Sequence, residues 1–154
     1  MFRATIYTDI GETYRLILPD GRRGGAALLA LFTMLAAFVH LQNEGPTSDD
    51  DDEIFSWFSQ LESEGGVSLA EVAAELVQTV FAESPTYETM KEKWVDVKGL
   101  LEHVRVIRRL LVETDLEEPV WLEVAATVVE LDTLIETLEL AIQRQANRVA
   151  IHMH

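Results

Sequence analysis

PVWLEVAATVVELDTLIETLELAIQRQANRVAI, residues 119–151, is the stretch that decides the architecture. Trp121, Val124, Val128, Leu131, Ile135, Leu138, Ile142 and Val149 fall at alternating steps of three and four, and Gln145 alone interrupts them. Such a period lines apolar side chains along one face of a helix. A proline at the start is harmless, because N–H groups in a first turn have no intrahelical acceptor. Upstream, Met90, Trp94, Val97, Leu101, Val104 and Leu111 keep the same step, with Arg108 at one position. Ser84-Pro85 supplies the start signal for that run. Thr114–Glu118 is a short connection, so residues 86–113 and 120–149 are expected to pack antiparallel, as a long helical hairpin over 85–151.

Ile107, Leu110, Val120 and Leu134 widen the apolar stripe beyond what a two-stranded coil covers, so other helices must lie on it. Residues 53–83 offer two short ones. The first, Glu53 to Leu61, carries Ile54, Trp57, Phe58 and Leu61 on one face and stops at Gly65-Gly66. The second opens with the capping box Ser68-Leu69-Ala70-Glu71 and runs to about Ala82. Residues 24–43 form an apolar helix, with Ala26 to Val39 broken only by Thr33. That run is shorter than the ~20 residues of a membrane span, and His40, Gln42 and Asn43 end it. A buried helix is therefore expected, although Arg22-Arg23 before it and acids after it match the flanks of a span with a cytoplasmic N-terminus. Residues 1–21 read as a β-hairpin, with strands at 3–8 and 13–18 around Asp9–Glu12 and a closing turn at Pro19-Asp20-Gly21. The fold class expected is mainly α: one domain, 1–154, built as a bundle of about five helices with an N-terminal β-hairpin.

Charge is concentrated. The net charge is −15, and residues 44–90 hold twelve acids and no lysine or arginine. Within them, residues 44–52 read as an acidic linker, Gly45-Pro46-Thr47-Ser48 followed by Asp49–Asp52. Free nucleic acid and anionic lipid would be repelled by this balance, so neither direct nucleic-acid binding nor membrane binding is expected.

Motifs for chemistry are missing. There is no cysteine, which removes thiolate metal sites and cysteine nucleophiles. No His-Glu-x-x-His, di-iron Glu-x-x-His, P-loop or Gly-x-Ser-x-Gly pattern occurs. His152 and His154, read at the end of a helix, would point to different sides. The Asp49–Glu53 run lacks the spacing of a calcium loop. Gly21-Arg22-Arg23-Gly24-Gly25, at a helix start, could hold an anion. Lys91, Lys98, Arg105 and Arg109 line one helical face, read chiefly as solvated surface. No catalytic residue, metal or cofactor is expected.

The expectation is a non-catalytic, cytoplasmic, acidic protein–protein interaction module. Its partner is a protein with a basic surface, and it would act as an inhibitor or regulator occupying a groove built for nucleic acid, a form of nucleic-acid mimicry. The contact residues assigned are Asp49, Asp50, Asp51, Asp52, Glu53, Glu62, Glu64, Glu71 and Glu75, on the polar side of the two short helices. Two other readings compete: an assembly or chaperone-like factor whose acidity serves solubility, and a membrane-anchored adaptor using residues 26–41. Helical faces also leave room for a homo-oligomer.

Overall fold

At Gln145, where the apolar rhythm misses a step, the helix ends. The backbone there has a φ of 70°, and the Ala146 N–H reaches back to the Ala141 carbonyl at 2.9 Å. A left-handed residue with such a back-bond is how helices commonly terminate. The following Arg148–Met153 forms a strand whose last five residues are all buried. A strand covered on both faces shows no polar alternation, so its sequence resembles a continued apolar helix face.

The computed structural model describes residues 2–45 and 48–154, with the side chain of Asp50 outside that description. In chain order the elements begin with β1 (Ala4–Thr8), β2 (Thr13–Arg15), α1 (Ala26–Glu44) and α2 (Asp49–Gly65). Then come α3 (Leu69–Val72), α4 (Ala74–Thr79), β3 (Val80–Phe81), α5 (Tyr87–Lys91) and β4 (Val95–Asp96). Last are α6 (Val97–Glu113), α7 (Val124–Gln143) and β5 (Arg148–Met153). Helix makes up about 58% of the chain, but the five-stranded sheet makes the fold mixed α/β rather than mainly α. β5 is the centre of that sheet. It pairs antiparallel with all of β1, from Ala4↔Met153 to Thr8↔Val149, and β1 pairs antiparallel with β2. On its other side β5 takes β3 in parallel and β4 antiparallel, end to end.

Other expected boundaries shift for identifiable reasons. The first long helix begins at Val97, not at residue 86, because Asp96 caps it by accepting the Gly99 N–H at 2.8 Å. The second begins at Val124, whose N–H is taken by Glu118 Oε1, so Pro119–Leu122 stay outside the helix. Asp49–Asp52 are the first turn of α2 rather than a linker. The Ser48 hydroxyl accepts the Asp51 N–H at 3.2 Å, and carboxylates are favourable at that end of the helix dipole. Pro46 and Thr47 of the expected linker lie outside the described residues. Residues 69–82, expected as one helix, divide into α3, α4 and β3, with Val80 and Phe81 drawn into the sheet beside β5.

α1 buries Leu28, Leu31, Phe32, Leu35, Phe38 and Leu41 along one stripe, against α2, α7, α3 and α4. By length and composition it could cross a membrane, and 33% of its apolar window is buried inside the fold. Its start is fixed to the sheet. Gly25 has a φ of 152° and bridges to Arg3, and a Cβ there would stand 2.9 Å from the Ala4 nitrogen. Only glycine permits that approach.

Candidate functional site

The acidic segment is oriented by an aromatic cluster. Phe58 of α2 is fully buried, its ring 5.4 Å from Phe38 and 5.5 Å from Trp121, while Trp57 stands edge-on to Trp121 and donates its indole N–H to the Glu117 carbonyl at 2.9 Å. With that face inward, Asp49, Asp52, Glu53 and Glu64 are exposed, as is Glu71 on α3. None of these five takes part in an ion pair among the described residues. Asp51 is half-buried, and the Asp50 side chain lies outside the described residues.

Two of the expected contact residues do not simply face water. Glu62 Oε2 accepts the Leu69 N–H at 2.8 Å and so ties the end of α2 to the start of α3. Glu75 turns to α6 and bonds His103 Nδ1, with both side chains mostly covered. Each carboxylate found a donor inside the fold, and helical phase alone does not register such partners. The basic strip also divides. Lys91 lies on α5 and the others on α6, where Arg105 meets Glu139 at 3.5 Å and the neighbouring Arg108 meets Asp132 at 2.5 Å.

A second region forms where the sheet meets the start of α1. A cavity of about 820 Å³ lies between Ala26, Ala27 and Ala30 of α1, Ala126 and Glu130 of α7, and the Val120–Leu122 segment, with Phe2, Arg3, Leu18, Arg22 and Arg23 around it. At the helix start after Gly21–Gly25, which by sequence could hold an anion, one first-turn N–H meets a carboxylate of the protein itself. Glu130, 7% exposed, accepts the Leu28 N–H of the first turn of α1 at 3.0 Å. Glu130 is thus a buried carboxylate that holds a helix N-terminus.

Arginines crowd the same region. Arg23 lies close enough to Arg15 and Arg3 that burial, followed by their charges, pulls its pKa below the ordinary guanidinium value. Its Nη2 is 3.3 Å from both the Ala4 carbonyl and the Thr5 hydroxyl. Arg3, Arg15 and Arg23 form no ion pair among the described residues, whereas Arg22 is held by Asp20. His154 joins this group, its Nε2 2.9 Å from the Thr5 hydroxyl. Because the C-terminal residues are a strand, His152 and His154 share one face after all, their rings stacked 4.8 Å apart, with Phe81 stacked on His152. Partial desolvation, then His152, Arg23 and Arg3, hold His154 below the ordinary imidazole value. No group of three metal-ligating side chains occurs among the described residues.

Two buried side-chain polar atoms lack a hydrogen-bond partner among the described residues: Arg23 Nε and Trp121 Nε1. Both residues line the cavity. A buried donor left unpaired costs about 1–3 kcal/mol, so the arrangement favours whatever brings acceptors there. Comparison with known proteins finds no matching family model, no matching curated protein and no matching solved structure. The gathering of Arg3 and Arg23 with Trp121 was not legible in the sequence, since it depends on how residues 120–123 pack against the start of the chain. Glu130 did leave one signal: an acid flanked by Val129 and Leu131 within an apolar helix.

Proposed function

We propose that the protein is a non-catalytic, acidic interaction module that binds a basic surface of a partner protein. The observation that carries this reading is the run of twelve acids without a base over residues 44–90, with Asp49, Asp52, Glu53, Glu64 and Glu71 exposed on α2 and α3. Their backbone is anchored by the Phe38–Phe58–Trp121 ring cluster, so the charges are presented on a fixed surface rather than a loose tail. A rigid array of carboxylates matches a groove that holds phosphates, and the module would act there as an inhibitor or regulator in the cytoplasm. Pre-ordering the charges lowers the entropy lost on binding, and a concentrated field speeds encounter.

The scaffold in this proposal is one helical bundle standing on the sheet, with α6 and α7 as its antiparallel pair. The crosswise ion pairs Arg105–Glu139 and Arg108–Asp132 support that orientation, later residues on one helix meeting earlier ones on the other.

Glu53→Lys with Glu64→Lys tests the functional reading, since neither residue lies at the start of a helix. A pull-down at low and high salt first identifies the partner. Association is then measured for wild type and variant at both salt concentrations. The expected result is slower association and a flatter salt dependence in the variant, with an unchanged circular dichroism spectrum. Equal rates and equal salt dependence would reduce the acidity to a solubility device and leave the assembly-factor reading in its place.

A further inference from the structure

We propose that the cavity beside the start of α1 binds an amphipathic acid, with its apolar body between α1 and α7 and its anionic head on Arg3 and Arg23. The space exists because α1 presents Ala26, Ala27 and Ala30 where α7 presents Ala126, and small side chains leave a gap between helices. At about 820 Å³ it falls in the range, about 300–1,000 Å³, of sites that take small organic ligands. The mouth is apolar as well: Val120 is 95% exposed and Phe2 54%.

Three features select an anionic head with acceptor oxygens. Arg3, Arg15 and Arg23 stand together with no carboxylate paired to them among the described residues, in a chain of net charge −15 that has acids to spare. The two buried donors lacking a partner among the described residues, Arg23 Nε and Trp121 Nε1, belong to residues of this lining, and both require acceptors rather than donors. Glu130 already occupies the N-terminus of α1, which assigns the head to the guanidinium side. A guanidinium receives a carboxylate through two parallel N–H donors, so the head is oriented as well as attracted.

The probe is sodium dodecanoate, kept below its micelle concentration, with dodecanol as the uncharged control and acetate as the head alone. Isothermal titration is followed in parallel with the ¹⁵N-resolved indole N–H resonance of Trp121, assigned through Trp121→Phe. The expected result is saturable 1:1 binding of dodecanoate with a shifted Trp121 indole resonance, and affinities at least tenfold weaker for dodecanol and for acetate. Arg3→Gln, at an exposed residue, is expected to weaken dodecanoate about tenfold and leave dodecanol unchanged. Ala126→Leu, which fills the gap, should weaken both the acid and the alcohol. No saturable binding, an unmoved Trp121 indole, or equal affinity for acid and alcohol would each overturn the proposal. So would a response to vesicles of phosphatidylglycerol without one to dissolved dodecanoate, which would assign this face to a membrane surface. The experiment alters none of the acidic residues of α2 and α3, so its failure and that of the acidic reading are distinguishable.

Discussion

Replacing Glu130 tests whether a buried carboxylate holds the start of α1. In Glu130→Leu the Leu28 N–H loses its acceptor in a covered site, where an unpaired donor costs about 1–3 kcal/mol. Loss of the negative charge removes a further ~0.3–1 kcal/mol of helix-dipole stabilisation. Opposing this, a carboxylate 7% exposed is itself expensive to desolvate, and the leucine is not. The acceptor decides the net sign, so Glu130→Leu is expected to lose about 2 kcal/mol. Glu130→Gln keeps an oxygen in place and relieves the desolvation, and is expected to stay within about 1 kcal/mol of wild type. Urea denaturation at neutral pH measures both, and a melting scan should place the leucine variant roughly 4–8 °C below wild type at ~2–4 °C per kcal/mol. If leucine is neutral, or if glutamine costs as much as leucine, the carboxylate does not act as the acceptor that holds α1.

Leu131, fully buried on α7, should lose about 2–5 kcal/mol in Leu131→Ala, and Leu138→Ala should behave likewise; neutral effects at both would break the pairing of α6 with α7. Gly25→Ala forces a Cβ against the β1 backbone at a φ of 152°, and is expected to cost more than the ~1 kcal/mol of an ordinary unfavourable glycine replacement, read by urea denaturation. His154, titrated by NMR, should show a pKa below the ordinary 6.5. The sign follows: just below pH 6.5 the unfolded chain binds more protons, so this group's contribution to stability is present above that pH and lost as pH falls through the folded value. A titration midpoint at or above the ordinary value would show that the ring is neither desolvated nor crowded by cations.

What was legible in the sequence was whatever depends on neighbours in the chain. The existence of α1, the apolar face of α2, the Ser68 cap and the pairing of β1 with β2 all follow from short-range pattern, although β2 covers only Thr13–Arg15 of the expected 13–18. The sheet beyond β1 and β2 was not legible, because β3 and β4 are two residues each and acquire strand geometry only by lying against β5. The sequence of β5 looks helical because a strand buried on both sides carries no alternating polar signal. The acidic face was visible as composition, but the roles of Glu62 and Glu75 inside the fold were not. The cavity was hidden because it forms where residues 120–123 and α7 pack against the start of α1 and the residues before it, segments about a hundred positions apart.

That β1–β5 ladder makes the fold depend on contacts between the two ends of the described chain. Its five pairs join residues 4–8 to residues 149–153, so closing it means bringing together almost the full length of the described chain. The entropic toll of such a closure falls when the intervening chain is already compact, since loop cost grows with the length of free chain. Helical contacts made beforehand would shorten that search, since the ladder joins residues of very high sequence separation. The Arg3 N–H to His154 carbonyl bond and its reciprocal, 2.8 and 2.9 Å, then lock the ends of that closure. A chain severed at the exposed Ala82–Thr86 segment would still hold its halves together, because β1 and β3 on one half both bond to β5 on the other.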